Sequence, residues 1–300
     1  MANPFDRTGV LKSLPKFKMI LNPQSYRMAH PVYKLQDIEQ IKKYHHNPEN
    51  FKDKLALTSV ATIRKAFDTF SRYNPEKMNE RDWLFRCIVL ETVAGVPGMV
   101  AGMHRHLRSL RTLEHDNGWI HHLLQEAENE RMHLFIFMQL RNPGIFTRVV
   151  IGLAQAIFVT AFNISYAISP KFSHRFVGYL EEEAVHTYTL CLKAIDEGKL
   201  PLWANMKAPA EAIDYYGLDP EKAMIRDVIL SIRADEAVHR SVNHHFSDIP
   251  QFYEISNDKV QISNNNSFRI EDTEEEQKMI SSGEAQETEK IYKGQDAPQP

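Results

Sequence analysis

The chain has 300 residues, a hydrophobic fraction of 43% and a formal net charge of −3, which suit one helical domain with tails. So small a charge, without a basic stripe interleaved with aromatic residues, excludes a typical nucleic-acid-binding protein, and no nucleic-acid partner is expected. The two cysteines, Cys87 and Cys191, are too few for a disulfide framework and form no Cys-x-x-Cys motif. A reducing compartment is therefore expected.

Residues 1–54 are predicted to be a basic N-terminal arm. Its first 34 residues carry six basic side chains and one acidic side chain. Such an excess of positive charge is typical of an organelle-targeting segment. Pro15, Pro23 and Pro31, together with weak amphipathicity, fit a solvated arm equally well, so both interpretations stay open.

Residues 55–250 are predicted to form the functional domain, which is helical almost throughout. Apolar residues recur at helical spacing, and no run alternates as a strand does. Pro143, Pro170 and Gly198 mark boundaries between the helices. The predicted helices lie near residues 56–73, 79–113, 118–141, 144–168, 171–197 and 220–246.

Residues 149–170 contain no charged side chain and are long enough to cross a bilayer. They also fit a buried core helix, or a helix that lies in one leaflet with its apolar face in the lipid. Candidate metal-binding residues lie on both sides of this segment, so a simple crossing would separate them. Insertion into one leaflet is therefore favoured, with the first predicted helix as a second anchor.

Residues 251–300 are predicted to be an acidic, disordered tail. From Glu254 onward there are eleven acidic and five basic residues, with few apolar ones. Such a composition buries too little surface to offset the conformational entropy of the chain.

Two Glu-x-x-His motifs lie in predicted helices, one from Glu130 to His133 and one from Glu236 to His239. Residues at i and i+3 share a helix face, so the two side chains of each pair can bind the same ion. One such motif arises often by chance in a chain with 14 histidines, and a solvated helix face then explains it more simply. Two nearby acids are interpreted as surface residues, Glu126 and Glu128.

Two further glutamates complete a pattern that is specific. Glu91 lies in an apolar run, where a carboxylate is costly unless it is paired, protonated or bound to a metal. Glu181 lies in the fifth predicted helix. The order Glu, Glu-x-x-His, Glu, Glu-x-x-His gives one contribution per helix, as in di-iron carboxylate bundles, and this donor set favours iron over manganese. We predict an all-α, ferritin-like di-iron four-helix bundle with additional membrane-associated helices. Two non-haem iron ions would bind to Glu91, Glu130, His133, Glu181, Glu236 and His239.

Three consecutive glutamates compete for the third ligand position. They are Glu181, Glu182 and Glu183, and the last begins a third Glu-x-x-His that ends at His186. Successive helix positions rotate by about 100°, so at most one or two of the three can face a common interior. Glu181 shares a mainly apolar face with Tyr188 and is predicted to be the ligand. Glu182 and His186 are interpreted as solvated residues or as supporting groups.

Four stretches around these residues resemble the alternative oxidases, the cyanide-insensitive quinol oxidases of mitochondria. They are LETVAGVPGM at 90–99, NERMHL at 129–134, LEEEAVHTY at 180–188 and RADEAVHR at 233–240. The resemblance extends over about residues 60–248 and is closer to protist and fungal members than to plant members.

The resemblance implies a homodimer bound to one lipid leaflet on the matrix side of the inner mitochondrial membrane. It implies that the protein oxidises ubiquinol and reduces O2 to water without pumping protons.

The resemblance also implies roles for individual residues. Tyr188 would donate an electron during oxygen reduction, or would be a buried tyrosine bonded to a ligand carboxylate. Asn129 and Asp235 each come immediately before a motif glutamate and are predicted from this position to orient the histidines. His133 and His239 would not bind iron in every redox state. The quinol headgroup would lie near Arg64, Asp68, Arg86, Leu90, Leu180, Glu183, Ala184 and Thr187.

Several alternatives stay open at this point. Arg64 and Asp68 also have the spacing of an ordinary i,i+4 ion pair on a helix. A membrane-bound di-iron hydroxylase of a quinone-like lipid would share the ligand order but would incorporate oxygen into its product. An iron-storage or iron-sensing bundle is disfavoured by the apolar segment 149–170. A third alternative is a scaffold protein in which the Glu-x-x-His motifs occur by chance, and metal analysis would distinguish it.

Overall fold

The computed structural model describes residue 28 and residues 30–249, and the fold below concerns residues 31–249. Within this range the structure contains nine α-helices and no strand, with one isolated bridge between Lys207 and Met224. The predicted acidic tail, residues 251–300, lies outside the described residues. The helical domain predicted over residues 55–250 is described up to residue 249. The helices are α1 (Leu35–Glu39), α2 (Phe51–Phe70), α3 (Glu80–Thr112), α4 (Trp119–Leu140), α5 (Ile145–Ile168), α6 (Pro170–Asp196), α7 (Pro201–Ala204), α8 (Ala210–Tyr216) and α9 (Ile225–Asp248).

Four long helices form the bundle that positions the candidate site. Helix α6 packs extensively against α9, and α3 packs extensively against α4. These four helices carry the predicted metal ligands, so the predicted all-α bundle is confirmed. The starts of α2 and α9 differ from the predicted ones by about five residues. In α2 the Asn50 side chain caps the helix by accepting from the Asp53 backbone N–H, at 3.0 Å.

The close packing of α3 on α4 depends on a glycine in the stretch that resembles the family. A Cβ atom at Gly98 would lie 2.4 Å from the carbonyl oxygen of Leu123 and 3.1 Å from the backbone nitrogen of Ala127. No real side chain tolerates such contacts, so only glycine allows the two helix backbones to approach this closely. This contact brings the α3 glutamate towards the Glu-x-x-His motif of α4.

The segment from residue 31 to residue 54 packs against the bundle. Ile38 in α1 is fully buried, and the Arg233 Nη2 atom of α9 donates to its backbone oxygen at 2.8 Å. Ile38 thus anchors this segment on the core, although most residues of 31–54 are exposed. The targeting interpretation concerns residues that the structure does not describe, and the domain division at residue 54 stays a prediction.

Helix α5 contains the apolar segment and lies largely outside the core. Helices α3 and α5 are both long and apolar enough to cross a membrane by length and composition. Of the most apolar window, 61% is buried in α3 but only 6% in α5. The apolar composition of α3 is thus explained by core packing, whereas that of α5 is not.

Candidate metal centre

Four helices bring six predicted ligands together in the interior of the bundle. Helices α3 and α6 each supply one glutamate, and α4 and α9 each supply a Glu-x-x-His pair. All six side chains are buried. They are Glu91, Glu130, His133, Glu181, Glu236 and His239.

These residues form two sets of potential ligand atoms, and within each set the atoms lie within 4.8 Å of one another. Glu91 and His133 belong to the first set, and Glu181 and His239 belong to the second. Glu130 and Glu236 belong to both. Since a carboxylate has two oxygens, a shared glutamate can contact two ions at once. The arrangement is therefore compatible with a metal site to which Glu130 and Glu236 could contribute from both sets.

The ligand atoms are close together, yet several make no hydrogen bond. The His133 Nδ1 atom lies 3.4 Å from Glu91 Oε2 and 3.5 Å from both Glu130 Oε2 and Glu236 Oε1. The His239 Nδ1 atom lies 2.8 Å from Glu130 Oε1. Nevertheless both Nδ1 atoms and both Glu130 oxygens lack a hydrogen-bond partner among the described residues. Buried polar atoms are nearly always bonded, so this convergence of orphaned donor atoms fits metal ions held between them.

The electrostatics of the cluster also call for a cation. Burial, reinforced by the charge of Glu130, raises the pKa of Glu91 to about 7. Burial and the charges of Glu236 and Glu130 raise the pKa of Glu181 well above its usual value. Four carboxylates in one buried volume repel each other, and bound cations would reverse this effect and keep the carboxylates ionised.

Asp235 fixes the orientation of His133. The His133 Nε2 atom lies 2.9 Å from Asp235 Oδ2, so Nε2 carries the proton and Nδ1 faces the carboxylates. Asn129 Nδ2 donates to the same Asp235 oxygen at 3.0 Å. Asp235 thus contacts a predicted histidine ligand directly, whereas Asn129 contacts Asp235.

Three tyrosines support this network and were not expected from the sequence. Tyr33 and Tyr216 donate to Asp235 at 2.6 and 2.8 Å, and Tyr215 accepts from Asn129 at 2.9 Å. Tyr33 belongs to the segment before α1, about 200 residues from its acceptor along the chain. A tyrosine so far away in sequence gives no local signal that could have identified it.

Tyr188 lies against the metal centre. Its side chain is buried, and its hydroxyl donates a hydrogen bond to Glu91 Oε1. Burial and the negative charge of Glu91 raise the pKa of Tyr188 well above its usual value. The phenol therefore keeps its proton at physiological pH, in contact with a carboxylate of the first set.

The three consecutive glutamates point in three directions. Glu181 joins the metal cluster, Glu182 lies 3.0 Å from His244 Nε2, and Glu183 forms an ion pair with Arg64. The choice of Glu181 as the candidate ligand agrees with this geometry. His186 is half-buried and belongs to neither set of ligands.

The prediction that Glu126 lies on the surface is wrong. Its side chain is buried, and it accepts a hydrogen bond from Asn243 Nδ2 at 2.9 Å. Glu126 lies one helical turn before Glu130 and therefore shares its inward face. Burial raises the pKa of Glu126 to about 7, against the opposing effect of His239. Glu128, in contrast, is partly exposed and paired with Arg131.

The charged residues of the predicted quinol site form one connected group. Asp68 lies 3.3 Å from Arg64 Nε and 2.7 Å from Arg86 Nη2. Arg64 Nη1 also donates to the Glu183 backbone oxygen at 3.1 Å and to Thr187 Oγ1 at 3.3 Å. The i,i+4 pair expected for Arg64 and Asp68 is therefore present, and it is extended to α3 and α6.

A cavity of about 660 Å³ opens beside this group. Arg64, Asp68 and Glu183 line it. The apolar members of the predicted quinol site lie on the helices that carry the metal ligands, and all are half-buried. They are Leu90, Leu180 and Ala184.

Comparison with known proteins identifies the family. Residues 33–248 match the family described as Alternative oxidase. A mitochondrial alternative oxidase of Cryptococcus neoformans var. grubii is 45% identical over 76% of this chain and 62% of its own length. One from Ajellomyces capsulatus is 49% identical over 74% of this chain and 66% of its own length. One from Trypanosoma brucei brucei is 49% identical over 81% of this chain and 73% of its own length. The chain thus spans less than two thirds of the length of both fungal relatives. It belongs to the alternative oxidase family, and its relatives include fungal and protist members.

Proposed function

We propose that the protein is a ubiquinol oxidase that reduces O2 to water without pumping protons. The observation that carries this proposal is the pair of ligand sets that share Glu130 and Glu236, next to the connected charged group around Asp68. One ubiquinol supplies two electrons and two protons, and reduction of O2 to two water molecules takes four of each. Two quinols are therefore oxidised for each O2.

The six clustered residues would hold two non-haem iron ions, four as carboxylates and two as imidazoles. Iron suits this donor set, because carboxylate oxygens and imidazole nitrogens are its common ligands in such bundles. When bound, the irons would supply the redox chemistry that takes up electrons and activates O2. Asp235 keeps His133 in the tautomer whose Nδ1 faces the site.

The charged group binds and orients the quinol headgroup. Arg86 is almost fully buried, and its Nε and Nη1 atoms have no hydrogen-bond partner among the described residues. They are therefore free to donate to an oxygen of the headgroup. Asp68 and Glu183 keep the two arginines in place. The apolar side chains of Leu90, Leu180 and Ala184 would limit water around the ring.

Tyr188 would act as a redox intermediate at the metal centre. Its hydroxyl proton is held against Glu91, so loss of an electron from the phenol can be accompanied by proton transfer to that carboxylate. Tyr188 would lend one of the four electrons that O2 requires, and one electron from a quinol would restore it, so that two quinols still supply all four electrons in the net reaction.

A lipid leaflet is the proposed setting, on the matrix side of the inner mitochondrial membrane. The exposed face of α5 includes Phe146, Leu153 and Ile157, each more than 60% exposed. Candidate ligands before and after α5 converge on one site, which supports insertion into one leaflet over a simple crossing by this helix. Since the quinol is a lipid, a face lying in the leaflet gives it direct access.

A homodimer would cover a second apolar surface. Met99, Met103, Leu107 and Leu110 of α3 are each about half exposed and form one stripe at helical spacing. A second copy of the chain can cover this stripe through a two-fold contact, because the same patch then serves both protomers. Leu107→Glu should shift the purified protein from dimer to monomer in light scattering.

The deciding experiment measures O2 uptake with ubiquinol in the presence of cyanide, using purified protein of known iron content. We expect two irons per chain, two quinols oxidised for each O2, and no oxygen transferred to the quinone. Labelled oxygen in the lipid product would instead identify a hydroxylase. Iron-loaded protein that fails to oxidise ubiquinol would refute the proposal.

A further inference from the structure

Two aromatic rings enclose the guanidinium group of Arg86. Its Cζ atom lies 3.8 Å from the ring centroid of Tyr73 and 5.0 Å from that of Phe67. Both distances lie within the range of a cation–π contact, and such contacts strengthen when the cation is removed from water. The Arg86 side chain is only 4% exposed, so the two rings replace much of its hydration.

This group has more donors than the surrounding protein uses. Nη2 of Arg86 pairs with Asp68 at 2.7 Å, but Nε and Nη1 have no hydrogen-bond partner among the described residues. A buried cation with unused donors is costly unless a ligand completes its hydrogen bonds. The orientation of the guanidinium plane then decides where those donors lie.

Tyr73 is itself held in a fixed position. Its ring packs edge-on against Trp83, with 6.1 Å between the ring centroids and 89° between the planes, and Trp83 is fully buried. Tyr73 also lines the 660 Å³ cavity together with Arg64 and Asp68. The sequence of contacts therefore runs from a rigid core residue to Tyr73 and then to Arg86.

We propose that Tyr73 is a positioning residue for quinol binding. Its ring fixes the guanidinium plane of Arg86, so that Nε and Nη1 stay available to a headgroup oxygen. This inference rests on the proposed function, because it assigns Arg86 to the quinol. Tyr73 follows α2, outside the four stretches that carry the family resemblance, and no sequence pattern singles it out.

The test is a double-mutant cycle of Tyr73→Leu and Arg86→Lys in the iron-loaded full chain. We expect Tyr73→Leu to raise the KM for ubiquinol by about five- to thirtyfold, with kcat within about twofold of wild type. Tyr73→Phe keeps the ring and should leave KM within about twofold. In the Arg86→Lys background, Tyr73→Leu should add less than about twofold, because the guanidinium plane that it positions is gone.

The control is Tyr44→Leu. The Tyr44 ring also lies over a buried arginine, with 5.3 Å between the centroid and Arg240 Cζ, but this arginine is not part of the charged group. The KM of Tyr44→Leu for ubiquinol should stay at the wild-type value. If Tyr73→Leu is not recovered folded, pentafluorophenylalanine at position 73 keeps the ring's shape and weakens the cation–π contact, so KM should still rise.

Three results would overturn the inference. They are an unchanged KM in Tyr73→Leu, an unchanged KM with the fluorinated ring, and a full additive effect of Tyr73→Leu in the Arg86→Lys background. Failure of wild-type, iron-loaded protein to oxidise ubiquinol would instead overturn the proposed function, so the two failures are distinguishable.

Discussion

Two polar clusters each include residues of both α6 and α9, and they differ in how far their polar atoms are hydrogen-bonded. One is the metal centre. The other, which we call the arginine cluster, consists of Asp53, Arg175, Glu182, His244 and Asp248. Arg175 Nε donates to Asp53 at 3.0 Å, Arg175 Nη1 donates to His244 Nδ1 at 2.8 Å, and Nη2 pairs with Asp248. His244 Nε2 then donates to Glu182 at 3.0 Å.

The arginine cluster is complete without a further component. Every charge in it meets an opposite charge or a hydrogen-bond donor, and Glu182 also accepts from the His46 backbone N–H at 2.8 Å. In the metal centre, atoms at similar separations leave both Nδ1 atoms and four of the eight glutamate oxygens without a hydrogen-bond partner among the described residues. Short distances between polar atoms therefore do not by themselves indicate a metal site, whereas short distances between atoms that lack hydrogen-bond partners are compatible with one.

The largest effect is expected for Glu130→Gln, in the metal centre. The change removes a carboxylate that both ligand sets share, so iron binding and O2 uptake should fall to background. In the metal-free protein the same change removes a buried charge, so the free energy of unfolding should stay equal or rise. Iron analysis and urea unfolding of both metal-free proteins measure the two effects. Retention of two irons in the variant would contradict the assignment.

Tyr188→Phe should reduce turnover without affecting iron binding, although Tyr188 contacts the same metal centre. The variant keeps the ring and all six candidate ligands but loses the hydroxyl that donates to Glu91. We expect wild-type iron content together with a large loss of O2 uptake. Wild-type activity in this variant would remove the redox role from Tyr188 and leave it as a hydrogen-bond donor.

Arg175→Leu should lower the stability of the fold without affecting iron binding, because the arginine cluster supports the structure and holds no metal ligand. The change leaves Asp53 buried without its cation, which costs about 3–5 kcal/mol. The Tm should fall by roughly 6–20 °C, while the folded fraction keeps its iron. Asp248→Asn is the matched control, since Asp248 is 54% exposed and its loss should cost at most about 1 kcal/mol. A Tm near that of the control would show that the cluster contributes little.

The smallest effect is a pH dependence of stability that comes from Asp53. Burial alone would raise the pKa of Asp53, but Arg175 and the Glu49 backbone N–H outweigh it and hold this pKa below its usual value. The carboxylate therefore stabilises the fold above pH about 4, and this contribution is lost as pH falls through the lowered pKa. The stability difference between wild type and Asp53→Asn should shrink from pH 7 towards pH 2 in urea unfolding. A constant difference would argue against an ionised Asp53.

The sequence predicted the parts of the structure that have a local pattern. The long helices follow from apolar periodicity, and the clustered ligands follow from their order along four helices. Helices α1, α7 and α8 were missed because each is too short to show a period. Glu126 was misplaced because nothing nearby in sequence shows that Asn243, on another helix, would satisfy its buried carboxylate.

The supporting groups of the metal centre were the least predictable. Asp235 was selected from its position beside a motif glutamate, but Tyr33 and Tyr216 reach it from segments outside the motifs. The enclosure of Arg86 by Phe67 and Tyr73 likewise depends on how α2 and the following residues pack on α3. Such contacts are set by tertiary packing, which a single sequence does not display.

The sharing of Glu130 and Glu236 between the two ligand sets has a consequence for assembly of the metal centre. The first iron to arrive would offset the repulsion among the carboxylates and hold two ligands of its neighbour in place. Uptake of the second iron should then be tighter than uptake of the first, so loading is cooperative. At limiting iron, a population of these chains would divide into fully loaded and empty molecules, with few that carry a single ion.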